Sequence, residues 1–162
     1  MSIQVGDRLP EATFLTMSGG EPKPVTTAEL FGGRTVALLA VPGAFTPTCS
    51  ARHLPGFKDQ AEALKARGVD QIACISVNDV YVMGAWGESQ GLGDDILLLA
   101  DGSADFTRAI GLESDNSRFG MGLRSKRYSM LVRDGVVERL NVEEPGQFNV
   151  SSADYLLQQL AA

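Results

Sequence analysis

Apolar runs alternate with amphipathic stretches along most of this chain. Thr35–Val41, TVALLAV, is apolar nearly throughout and reads as a buried strand. Asp70–Val77 (DQIACISV) and Asp95–Ala100 (DILLLA) repeat that character. After Cys49, the residues Leu54, Phe57, Ala61 and Leu64 recur at helical spacing, predicting a helix from about Cys49 to Arg67 that ends at Gly68. Pro55 lies inside it and cannot donate to the carbonyl of Ala51, so a kink is expected there. Asn78 or Asp79 can cap a helix running to about Gln90, and Ser103 to Ile110 reads as a short helix ended by Gly111. Tyr128–Arg133 and Val136–Asn141 flank Asp134-Gly135, a hairpin signal. Ser151-Ser152-Ala153-Asp154 has the form of a capping box ahead of Leu156, Leu157 and Leu160. Before all of these, residues 1–24 carry Pro10, Gly19-Gly20, Pro22 and Pro24 around one apolar patch, Ala12–Leu15, and read as an irregular arm or a small hairpin. Thr27–Phe31 follows as one helical turn closed by Gly32-Gly33. Strand–helix–strand units, then a hairpin and a last helix, predict an α/β fold with a central mixed sheet flanked by helices. The expectation is one domain over residues 1–162.

Composition narrows the partners. The net charge of −6 argues against a general binder of nucleic acid or anionic membrane, although Arg124, Lys126 and Arg127 can form a local basic pocket. No apolar stretch approaches the ~20 residues needed to span a bilayer. The start MSIQVGDRLPEA lacks the basic and apolar regions of a secretory signal. Two cysteines are too few for a disulfide scaffold, which makes a reducing cytoplasm the expected location. With one histidine, a His-rich metal site is excluded.

The chemistry concentrates in Val41–Phe57, VPGAFTPTCSARHLPGF. Pro42 and Gly43 stop the strand, and Pro47 suits a helix start. Cys49 is thereby placed in a first helical turn, where unpaired backbone N–H groups and the helix dipole favour thiolate over thiol. Thr46 and Thr48 set hydroxyls on either side of Pro47. A cysteine taken alone is more often an inert buried residue, and this placement shifts the reading to a nucleophile. His53 falls four residues after Cys49, where it reads as a surface or packing histidine rather than the partner of a Cys–His pair.

Pro42-Gly43-Ala44-Phe45-Thr46-Pro47-Thr48-Cys49 resembles the active-site loop of peroxiredoxins, whose P-x-x-x-T-x-x-C signature carries the peroxidatic cysteine. Ser50–Phe57 narrows the resemblance to the Prx5 (type II, atypical) subfamily, and Gly122–Met130 resembles the segment bearing its active-site arginine. The likeness runs from about Val5 to the C-terminus. It implies a thioredoxin-like fold and a thiol-dependent peroxidase reducing hydrogen peroxide and organic hydroperoxides through a cysteine sulfenic acid, without cofactor or metal. By resemblance, Cys49 is the nucleophile and Thr46 donates to the peroxide and holds the thiolate. Pro42 shields the sulfur from water, and Arg124 supplies the fixed positive charge. The family also implies a homodimer near the active site. Phe45 and Phe119 could serve that interface or fill the core, while Trp86 reads as core.

Cys74 stands open between two readings: the resolving cysteine found in an equivalent strand of some members, and a small buried residue beside Ile72 and Ile75. Where other members carry a resolving thiol near the last helix, this chain has Ser151 and Ser152. A one-cysteine cycle closed by glutathione and glutaredoxin is therefore expected, with thioredoxin the other reductant. The rival reading is a redox sensor that passes oxidation to a partner protein without rapid turnover. A protein-disulfide oxidoreductase is disfavoured by the lack of C-x-x-C.

Overall fold

In the computed structural model of the chain, which describes residues 2–161, the strand Thr35–Ala40 (β3) is an interior strand of a seven-stranded sheet. Its side chains alternate without a break: Val36, Leu38 and Ala40 face one apolar cluster, and Ala37 and Leu39 face the other. Both faces are covered, which is why the run is apolar throughout rather than alternating with polar residues.

The other elements follow the chain. Thr13–Ser18 (β1) and Glu21–Thr26 (β2) form a hairpin, and Thr27–Phe31 (α1) is a single turn with a complete capping box between Thr26 and Glu29. Beyond β3, a π-helical turn over Cys49–His53 leads into Leu54–Asp59 (α2) and Ala61–Ala66 (α3). Gln71–Ser76 (β4), Val80–Gln90 (α4), Leu97–Ala100 (β5) and Asp105–Ala109 (α5) come next. Glu113–Asp115 (β6) and Leu123–Ser125 (β7) make a separate two-stranded sheet. Tyr128–Arg133 (β8), Val136–Val142 (β9) and Ala153–Ala161 (α6) complete the chain. The main sheet runs β2-β1-β5-β4-β3-β8-β9, with β3–β4 and β4–β5 parallel and the remaining pairs antiparallel.

Several expectations meet the structure directly. Asp134 and Gly135 both take positive φ (48° and 79°), as a two-residue hairpin turn joining twisted strands requires. Asp79 accepts from the Val82 N–H to start α4, and Gly91 ends it in the left-handed conformation. Trp86 is fully buried, as expected of a core residue. Phe45 and Phe119 are 55% and 65% exposed, so neither fills the core.

Two differences have physical causes. The arm rich in proline forms regular strands because Pro22 and Pro24 fall opposite Met17 and Leu15, alternating with the bonded pairs of a two-residue hairpin. Their missing N–H groups then face the open edge of β2, where no ladder bond is lost. The predicted capping box starting at Ser151 is displaced by one residue. Ser152 Oγ accepts from the Tyr155 N–H, while the Ser151 hydroxyl turns away to Glu143.

Candidate active site

The active turn begins where β3 delivers the chain to Pro42 at the C-terminal edge of the parallel strands. The loop after it is pinned from β4's side: Asn78 Oδ1 accepts from the Ala44 N–H at 2.9 Å and from Ser76 Oγ at 2.6 Å. Phe45 takes φ +64°, the left-handed region that branched and bulky side chains avoid, and its ring is held out toward solvent. Thr46 Oγ1 donates to the Gly43 carbonyl at 2.7 Å. Helical backbone starts at Pro47, as its fixed φ favours, and widens at Cys49.

That widening answers Pro55. An α-turn there would bring the proline ring against the Ala51 carbonyl. The chain instead takes a π-turn, in which the Leu54 N–H bonds the Cys49 carbonyl one residue further back. The kink expected at Pro55 is thus a π-bulge that contains Cys49 itself. Trp86, reaching across from α4, donates its indole N–H to Ser50 Oγ at 2.9 Å and ties the turn to the core.

Cys49 is fully buried, and its sulfur accepts from Arg127 Nη2 at 3.1 Å. The same guanidinium donates through Nη1 to His53 Nδ1 at 3.0 Å, and His53 Nε2 lies 2.9 Å from the Ser151 carbonyl. A carbonyl can only accept, so Nε2 carries the proton and Nδ1 presents its lone pair to Arg127. Burial and the Arg127 charge together lower the His53 pKa to about 3, against the opposing pull of the Ser151 carbonyl and Glu143. The imidazole is therefore neutral. Phe148 closes over this pair, its ring 5.1 Å from the His53 ring and 5.8 Å from the Arg127 guanidinium carbon.

These contacts rearrange the expected site. Arg124 does not hold the sulfur: its Nε donates to the Met121 carbonyl and its Nη1 to the Val77 carbonyl, both at 2.8 Å. Arg124 belongs to β7 and is directed by pairing with β6, whereas Arg127 precedes β8 and lies over the active turn. Arg124 Nη1 still passes close to Gly43, so it braces the Pro42–Gly43 loop rather than the reacting atom. Thr46 differs in sense as well, since its proton is committed to Gly43 and its oxygen is left to accept. Pro42 lies half-buried at the loop's start. His53 is neither a surface residue nor the sulfur's direct partner; it acts on Arg127. The only hint in the sequence was its position one helical turn past Cys49.

Cys74 occupies the middle of β4 opposite Leu39, in the same apolar cluster as Cys49 and fully buried. Burial, reinforced by Cys49 nearby, pushes its pKa well above the ordinary thiol value, with Arg127 opposing weakly. It is held as a thiol.

The His53 environment predicts an acid limb in stability. Its folded-state pKa of about 3 lies below the ordinary 6.5, so the unfolded chain binds this proton more tightly. The stability it confers is complete above about pH 6.5 and drains away as the pH falls toward about 3. Urea unfolding followed across this window should give a shallower pH dependence for His53→Gln, by about one proton. An unchanged slope would show that His53 is not neutral in the folded protein.

Residues 4–157 match the Redoxin family. The chain is 57% identical to peroxiredoxin-2E-2, chloroplastic, of Oryza sativa subsp. japonica, covering 98% of this chain and 73% of that protein. It is 46% identical to the hybrid peroxiredoxin hyPrx5 of Haemophilus influenzae, over 99% of this chain and 68% of that one. Among solved structures, reduced Prx3 of Vibrio vulnificus in complex with hydrogen peroxide superposes with a TM-score of 0.93 at 52% identity, covering 98% and 99% of the two chains. The chain belongs to the redoxin family, as a peroxiredoxin of the Prx5 type with the thioredoxin-like fold. Its activity is that of a thiol-dependent peroxidase.

Proposed function

We propose that Cys49 reduces hydrogen peroxide and organic hydroperoxides through a sulfenic acid, and that an outside thiol closes the cycle. The observation that carries this reading is the Arg127 guanidinium 3.1 Å from the sulfur of a cysteine buried in a π-turn. Thiolate sulfur attacks one peroxide oxygen in line with the O–O bond. That bond breaks, its electron pair leaves on the second oxygen, and a proton makes it water or an alcohol. Sulfur keeps the first oxygen as S–OH. Charge spreads from sulfur to the leaving oxygen during this step, and a cation already seated on the sulfur stabilises both ends. Thr46 Oγ1, its own proton held by Gly43, can accept the peroxide O–H and orient the substrate. Pro42, half-buried at the start of that loop, is the residue assigned to shield the sulfur from water. The Vibrio relative crystallised with hydrogen peroxide supports a small peroxide as substrate.

The sulfenic acid then meets a second thiol: Cys49–SOH and RSH give a mixed disulfide and water, and another RSH releases Cys49 and RSSR. Cys74 fits this role poorly, being a mid-strand thiol with a raised pKa. Glutathione with glutaredoxin is the favoured reductant, and thioredoxin the alternative. Exposed Phe45 and Phe119, flanking the active-site segments, support a homodimer through this face. Two free cysteines suit a reducing compartment, cytoplasm among them; two of the plant relatives are named as chloroplastic. Among the described residues no helix is long and apolar enough to cross a membrane.

Mass spectrometry after one equivalent of peroxide, without added thiol, tests how the cycle closes. Sulfenic acid at Cys49, trapped by a carbon nucleophile, is the expected product. A near-complete Cys49–Cys74 disulfide in the monomer would instead make Cys74 the resolving residue.

A further inference from the structure

Beyond β9 the chain makes a loop whose purpose is visible in one carboxylate. Glu143 is 6% exposed, and its two oxygens accept from three successive backbone amides: Asn149 at 2.8 and 2.9 Å, Val150 at 2.8 Å and Ser151 at 2.7 Å. The Ser151 hydroxyl adds a fourth donor at 2.6 Å. Successive amides turned inward form an anion-binding nest, and here the chain's own carboxylate fills it. Burial alone would raise the Glu143 pKa, but the bonds from Ser151, Asn149 and Val150 outweigh it and hold the group below its usual range.

The nest fixes two parts of the active site. Ser151, gripped through N–H and hydroxyl, presents its carbonyl to His53 Nε2. Phe148, just before the gripped amides, lies against His53 and Arg127. Glu143 is also joined to Arg127 through the backbone, its N–H bonding the Arg127 carbonyl at 2.9 Å. We propose that Glu143 is a positioning residue for peroxide reduction, setting Arg127 on the Cys49 sulfur through Ser151 and His53. The chain of contacts is continuous: carboxylate to Ser151, Ser151 carbonyl to His53, His53 Nδ1 to Arg127, Arg127 to sulfur. A released Ser151 carbonyl would free the imidazole to turn, and Arg127 would lose the acceptor that aims it. Glutamine cannot substitute, because its NH2 would face donors where the site needs only acceptors.

The inference rests on Cys49 as nucleophile and is tested by a double-mutant cycle on the peroxide rate constant. Glu143→Gln should lower that constant about tenfold, within the coupling range of residues sharing one hydrogen-bond network. In an Arg127→Ala background the same substitution should change it less than about twofold, because its effect runs through Arg127. Ser151→Ala, which removes one of the donors and spares the fold, should show a smaller loss with the same dependence on Arg127. A wild-type rate for Glu143→Gln, or an equal loss with and without Arg127, overturns the inference. If Glu143→Gln fails to fold, the cycle with Ser151→Ala decides it by the same criterion. Peroxidase activity persisting in Cys49→Ser would instead remove the underlying reading, which keeps the two failures apart.

Discussion

Cys49→Ser is expected to abolish peroxide reduction, by roughly a thousandfold or more, since a hydroxyl at its ordinary pKa is a weak nucleophile. Cys74→Ser should keep most of the activity. The contrast follows from position. One sulfur sits in a helical turn with a guanidinium 3.1 Å away, and the other is a buried thiol whose pKa is driven up by its surroundings. Both substitutions swap sulfur for oxygen at fully buried sites, so some loss of stability is expected in each, and circular dichroism must first establish that both fold. Steady-state peroxide consumption with a small thiol then makes the comparison. Equal loss in two folded variants would overturn the assignment of the nucleophile.

Arg127→Ala should slow the reaction with peroxide by on the order of a hundredfold or more, the usual effect of deleting a donor aimed at developing charge. Arg124→Ala should cost far less, because its donors serve the carbonyls of Val77 and Met121 and reach the site only by bracing the loop. Arg127→Lys should recover part of the rate. Lysine keeps the charge but lacks the planar fork that spans sulfur and His53 Nδ1 at once. Stopped-flow measurement of the three variants against wild type separates the two arginines. A larger loss at Arg124 than at Arg127 would return the role to Arg124.

Much of this molecule was legible before its structure. The apolar run of β3, the asparagine–aspartate start of α4, the Asp134-Gly135 turn and the helix past Cys49 are local signals, each set by contacts within a few residues. The P-x-x-x-T-x-x-C segment is local too, so the proposed nucleophile and its loop could be picked out directly. Pro55 announced a distortion, though not that the distortion would be a π-turn holding the reactive residue.

The pieces that escaped are those assembled from distant parts of the chain. Three cations stand within four residues at Arg124, Lys126 and Arg127, and nothing in their spacing selects one. The choice is made by two strand pairings, β6 with β7 and β3 with β8, which turn Arg124 toward Val77 and lay Arg127 over Cys49, 78 positions earlier in sequence. Ser151 read as a helix cap because its spacing allowed it, yet Glu143, just past the end of β9, came within reach and took the hydroxyl. His53 read as packing because one histidine among apolar neighbours is ordinarily that. Its contacts with Arg127 and Ser151 exist only once the π-turn, the start of β8 and the loop before α6 converge. The sequence by itself determined most of the elements, the candidate nucleophile and the class of chemistry, because those depend on periodicity and on a local turn. The tertiary structure decided which charge meets the sulfur and what holds that charge, because a long guanidinium side chain is aimed by whatever distant acceptors the fold brings to it.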